Sequence, residues 1–155
     1  MRFIIEYTNQ TQNRLLKYII DEYSFDCEPT HDEINFEIVV NKLSLTVNEN
    51  NEVFQVLGFC PYGEWIKANY NVPKSKKGLL KVKDNFDPGF SYKVNKDKDF
   101  PIYVNITTGW VCVGNPKEQG NSVEFMNNCI ANINNNEQLV SLWLKPEELP
   151  NLDRN

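Results

Sequence analysis

The strongest constraint on this chain is a change of parity between residues 34 and 47. Ile34, Phe36, Ile38 and Val40 are apolar at even positions, whereas Leu43, Leu45 and Val47 are apolar at odd ones. Side chains alternate between faces along a strand, so one continuous strand cannot keep both sets on a single buried face. The switch requires a two-residue hairpin or a bulge at Asn41-Lys42. The polar run 48–52 supplies the next turn and residues 53–60 the next strand, which together predict an antiparallel meander.

Elsewhere the period changes. Phe3, Ile4, Ile5 and Tyr7 suggest a short opening strand. Leu15, Leu16, Ile19, Ile20 and Tyr23 then recur with helical spacing, with Arg14, Lys17, Asp21 and Glu22 left for the wet side. This predicts an amphipathic helix over 15–23, ended by the polar loop around Pro29. Leu79, Leu80 and Val82 suggest a brief strand, and residues 102–106 and 110–113 flank Thr107-Thr108-Gly109 as a hairpin whose glycine supplies a positive φ. Gly114-Asn115-Pro116 closes that hairpin. Asn121 followed by Glu124 resembles a capping box, and Met126, Cys129, Ile130 and Ile133 mark the stripe of a second helix over 123–133, stopped by the Asn run 134–136. Residues 139–144 read as a last strand. The expected class is α+β, a mostly antiparallel sheet packed with two helices, in a single domain over 1–155.

A chain of 155 residues with 41% hydrophobic content is long enough to bury one core without disulfides or metals. The N-terminus reaches Glu6 after three apolar residues, which leaves no room for a signal-peptide core, and no apolar run approaches the roughly 20 residues of a membrane span. A soluble, cytoplasmic protein is expected, with Cys27, Cys60, Cys112 and Cys129 as reduced thiols. The net charge of −5 is unevenly spread: residues 1–60 carry ten acids against four bases, and residues 61–105 nine bases against five acids. An acidic first segment argues against nucleic acid, whose phosphates need clustered Lys and Arg, and suits a basic protein partner.

No catalytic or cofactor motif emerges. His31 is the only histidine, so a histidine-based triad must be built around it or not at all. Its spacing from Cys27 could pair two metal ligands, but no second Cys-His pair and no Cys-x-x-Cys accompanies them, and the segment reads as a solvated acidic loop. Gly114 and Gly120 are not followed by the Lys-Ser/Thr pair of a phosphate loop, and the adjacent Glu147-Glu148 reads as solvated. The expectation is a binding protein, with no enzyme activity and no cofactor. Tyr62, Trp65, Tyr70 and Trp110 leave an alternative open, a small-ligand or carbohydrate-binding module with an aromatic platform, against core packing of the same rings.

Four stretches, GFCPYGEWIKANYNVPKSKKGLLKV, YVNITTGWVCVGNP, SVEFMNNCIANI and LVSLWLKPEEL, resemble as a set small bacterial immunity proteins of polymorphic-toxin and contact-dependent growth inhibition systems, chiefly over residues 56–149. The resemblance implies a cytoplasmic protein that binds its cognate toxin domain, often a nuclease, and blocks the active site or an essential surface; it carries over no functional residue. An acidic inhibitor suits a nuclease's basic face through fast, steered association. The candidate contacts are the acids Asp21, Glu22, Asp26, Glu28, Asp32, Glu33 and Glu37, with Tyr23 and Phe25 as anchors.

Overall fold

The computed structural model describes residues 1–152. Fourteen strands follow one another along the described residues. The first six are β1 (Phe3–Tyr7), β2 (Leu15–Ile19), β3 (Ser24–Glu28), β4 (Phe36–Val40), β5 (Leu43–Val47) and β6 (Val53–Phe59). Then come β7 (Ile66–Lys67), β8 (Lys76–Val82), β9 (Ser91–Lys93) and β10 (Ile102–Val104). The last four are β11 (Val111–Gly114), β12 (Asn121–Met126), β13 (Cys129–Ile133) and β14 (Leu139–Leu144). The only helical pieces among the described residues are two three-residue 3₁₀ turns, Ile20–Glu22 and Tyr62–Glu64. The expected α+β class is therefore overturned: the protein is nearly all β, and neither expected helix exists.

The strands form an eight-stranded sheet in the order β1-β8-β12-β13-β14-β11-β10-β7 and a six-stranded sheet in the order β2-β3-β6-β5-β4-β9. Most neighbours are antiparallel, and the pairs β8–β12, β7–β10 and β4–β9 are parallel. One apolar core joins the sheets: Phe25, Ile38, Leu45 and Val56 come from the smaller, and Leu80, Val123, Phe125 and Leu142 from the larger. Such burial of one face of each sheet against the other drives the fold.

Residues 15–28 form a hairpin because each arm buries alternate residues. Leu16 lies opposite Cys27 and Tyr18 opposite Phe25, all four buried. A helix over 15–23 would have buried Leu15, Ile20 and Tyr23, which instead are 41%, 45% and 46% exposed. Isoleucine and tyrosine at 18–20 also favour extended backbone over helix. Arg14, assigned by the helical reading to the wet side, is only 7% exposed. Its Nε donates to the Phe54 carbonyl at 3.0 Å, its guanidinium reaches the Pro29 carbonyl, and it lies 5.6 Å from the Phe54 ring centroid.

The second expected helix is the β12–β13 hairpin. Met126 pairs with Cys129, leaving Asn127-Asn128 as the turn, with Asn128 at φ 62°. The Glu124 carboxylate, read from sequence as part of a helix cap, accepts the Asn128 N–H at 3.1 Å and closes the hairpin. The apolar stripe misled because these strands are buried on both faces. Val123, Phe125 and Ala131 face the shared core, whereas Ile130, Trp143 and Cys112 form a row on the opposite face, covered by Tyr70, Val72 and Trp110. Strands buried on both sides lose the alternation that identifies a strand.

The hairpin at Asn41-Lys42 is present, with Val40 paired to Leu43 and Asn41 left-handed at φ 55°. The 102–113 hairpin also forms, with Gly109 at φ 87°. Among the described residues no helix is long and apolar enough to cross a membrane.

Candidate functional site

One feature of the surface built at a backbone cost is the turn between β2 and β3. The 3₁₀ turn Ile20–Glu22 is closed by the Tyr23 N–H donating to the Ile20 carbonyl at 3.2 Å, and Tyr23 sits at φ 54°, ψ 38°. Left-handed backbone at a bulky residue is rare because Cβ approaches the carbonyl oxygen, at a cost of roughly 1–2 kcal/mol. Among the described residues the other non-glycine positions at positive φ are asparagines, Asn41, Asn51 and Asn128, apart from Glu137. The Tyr23 carbonyl accepts the Cys60 N–H at 2.8 Å, which ties the turn to the end of β6.

The conformation holds the Tyr23 ring outward, 5.7 Å from the Tyr62 ring and 6.5 Å from that of Phe59, which is itself 41% exposed. Beneath them lies a buried aromatic nest. Tyr18 meets Phe25 and Trp65 edge-on at 5.1 and 5.0 Å, and Phe25 stacks on Trp65 at 6.0 Å. The Tyr18 hydroxyl donates to the Cys60 carbonyl at 2.8 Å and accepts the Tyr62 N–H at 3.1 Å. Burial pushes this phenol well above its ordinary value, so it stays a neutral hydrogen-bonding strut. Asp21, Glu22 and Glu64 are exposed in the two turns that carry Tyr23 and Tyr62. Lys42 stands 5.4 Å from the Phe59 ring centroid, so one aromatic face of the patch already holds a cation.

The nine residues expected to form one contact do not lie together. Asp21, Glu22 and Tyr23 share the turn just described, and Phe25 is core at 1% exposure, which corrects its role as an anchor. The Asp26 carboxylate accepts the N–H of Cys27 at 2.9 Å, and Glu28 pairs with Lys17 at 3.1 Å. Glu37 accepts the Ser44 hydroxyl at 2.6 Å and also that of Ser91, bridging β5 and β9 from β4. Asp32 and Glu33 lie at the other end of the smaller sheet, beside the 48–52 turn. There they line a groove of about 450 Å³ with Ile34, Asn48, Glu49 and Asn50, and no lysine or arginine lines it.

The proposed aromatic platform is likewise divided. Tyr62 joins Trp65 in the nest under Tyr23, whereas Tyr70 and Trp110 cover the outer face of the larger sheet. Sequence reading overlooked Phe59 and Glu49, which are brought to these surfaces by pairing and not by any local pattern. His31 is exposed while Cys27 is fully buried, and the His31 backbone is held by the buried Gln55 amide, whose Oε1 accepts its N–H at 2.7 Å. All four cysteines are free and buried; burial pushes Cys60 and Cys112 up to about 12 and Cys129 well above the ordinary thiol range.

No protein-family model matches the chain, and no curated protein is similar to it.

Proposed function

We propose that this protein is a cytoplasmic immunity protein that binds a cognate toxin domain and blocks it, with the Tyr23 turn at the centre of the contact. The observation that carries this reading is Tyr23 itself: an exposed aromatic side chain in a backbone conformation that asparagine would fill at less cost. Strain of that kind persists where function repays it. Tyrosine is a favoured interface anchor, giving a large contact at small entropic cost. Asp21, Glu22 and Glu64 around it suit a basic face, such as the one a nuclease presents to its substrate. The resemblance in sequence supplies the partner class; the patch supplies the contact.

The test looks for a toxin-domain reading frame beside this gene and uses that domain, with binding followed by surface plasmon resonance and protection by co-expression. Tyr23→Asn should melt within a few degrees of the wild type or slightly higher, yet bind at least about tenfold more weakly, a loss of 1.4 kcal/mol or more. Asp21→Lys with Glu22→Lys should slow association and blunt its dependence on salt. Undiminished binding by Tyr23→Asn rejects the contact site. Absence of binding and protection by the wild-type protein rejects the immunity reading.

A further inference from the structure

A second surface, unrelated to the toxin reading, lies on the outer face of the larger sheet. Ser122, Asn132 and Ser141 stand in register across β12, β13 and β14 and are only 6%, 4% and 1% exposed. The next row on that face, Ile130, Trp143 and Cys112, is apolar, as the centre of a covered sheet should be. Three polar side chains in the middle of such a face are costly unless hydrogen-bonded. Here the Ser122 hydroxyl donates to Asn132 Oδ1 at 3.3 Å, and Trp143 Nε1 donates to Ser141 Oγ at 3.0 Å.

Above Ser122, Asn132 and Trp143 is a groove of about 530 Å³, within the size range of small-ligand sites. One wall is the extended segment 71–74 and the other the loop 116–120. The loop is fastened to the floor: Asn132 Nδ2 donates to the Glu118 carbonyl at 2.8 Å. A Cβ on Gly120 would come within 2.3 Å of the Ile133 carbonyl oxygen, so glycine is what lets the loop lie this close. The site is thus formed in advance of any ligand.

The electrostatics of the groove run against those of the whole chain. Lys74 and Lys117 both line it, and neither makes an ion pair among the described residues, whereas Arg2, Lys17, Lys81, Lys83 and Lys93 all do. Glu118 also lines it, with its carboxylate accepting Asn134 Nδ2 at 3.2 Å. Two cations, a hydroxyl, the three amides of Asn71, Gln119 and Asn132 and one acceptor carboxylate, with Pro73, Pro116 and Trp143 as apolar surface, match a compact polyol that carries one negative group.

We propose that this groove binds a monosaccharide-sized polyol bearing a single phosphate or carboxylate, its hydroxyls over Ser122 and Asn132 and its anion between Lys74 and Lys117. The test is calorimetric titration of the wild-type protein with glucose 6-phosphate and with glucuronate, and with glucose and inorganic phosphate as the separate parts. At least one charged sugar should bind saturably and about tenfold more tightly than either glucose or phosphate, and the preferred one names the anionic group. Lys74→Ala with Lys117→Ala, both exposed and unpaired, should remove about tenfold of that affinity without moving the melting temperature. Failure of both charged sugars to bind overturns the proposal. So does phosphate binding as well as the sugars, or an unchanged affinity in the double variant. None of these outcomes bears on toxin binding.

Discussion

The strand β4 of the smaller sheet and β13 of the larger differ in how many of their faces they bury. On the smaller sheet β4 buries one face, so Phe36, Ile38 and Val40 are buried while Glu37 and Val39 between them are partly open, whereas further in Thr46 of β5 and Gln55 of β6 are buried on the outer face as well. On the larger sheet β13 is buried at every position from Cys129 to Ile133, because Tyr70, Val72 and Trp110 cover the side that the core does not. A strand with one wet face announces its period in the sequence, and a strand with none does not. The same contrast divides their surfaces. The smaller sheet ends in exposed acids and aromatics, and the larger keeps its polar groups under a groove.

The largest expected effect tests that difference in packing. Phe125→Ala, in the double-sided region at 1% exposure, should cost about 3–5 kcal/mol in urea denaturation, whereas Phe59→Ala, 41% exposed at the end of β6, should cost less than about 1. Comparable losses would mean that the shared core around Phe125 is no more tightly packed than the exposed end of β6.

The next effect asks whether the two faces of the larger sheet are equally dry. Cys129 faces the shared core and Cys112 the outer cluster, and burial raises both thiols above their ordinary value of 9.0, Cys112 to about 12. Above pH 9 the unfolded chain loses these protons while the folded one keeps them. Stability should therefore be full below about pH 9 and fall as pH rises toward 12, by about 1.4 kcal/mol per unit for each such thiol. Denaturant midpoints at pH 8, 9.5 and 10.5 measure it. Native protein at pH 8 should also leave Cys112 as unreactive to a thiol reagent as Cys129. Preferential labelling of Cys112 would show that the outer cover opens.

The smallest effect concerns the rim of the smaller sheet. Lys17 and Glu28 pair at 3.1 Å across β2 and β3, with their side chains 33% and 60% exposed. Lys17→Ala should change stability by less than about 0.5 kcal/mol, read from the same urea titrations. A larger loss would give the hairpin that carries Tyr23 an ionic anchor which its aromatic nest does not need.

Three turns, two in the smaller sheet and one in the larger, were legible residue by residue. The parity switch at Asn41-Lys42, the Asn-rich turn after β5 and the glycine of the 102–113 hairpin each encode their geometry locally, through alternation or through a residue that tolerates positive φ. Of the candidate site, Asp21, Glu22 and Tyr23 were legible as an acidic stretch with an aromatic, but Phe25 turned inward, because alternation from Ser24 placed it beneath Tyr18.

What the sequence determined by itself is the turns at 41–42, 48–52 and 107–109, the strands that flank them and the uneven charge. The tertiary structure alone decided that Leu16 and Tyr18 face Cys27 and Phe25 in a hairpin, where their spacing also fits a helix. It alone decided that Phe59 and Tyr62 meet Tyr23 across the sheet, and that Ser122, Asn132 and Ser141 form one row, the first two of them under a groove. The physical reason is range. A turn is selected by the conformational preferences of two or three adjacent residues, whereas the second burial face of a strand and the partners across a sheet come from segments far away in the chain, whose identity no local period records.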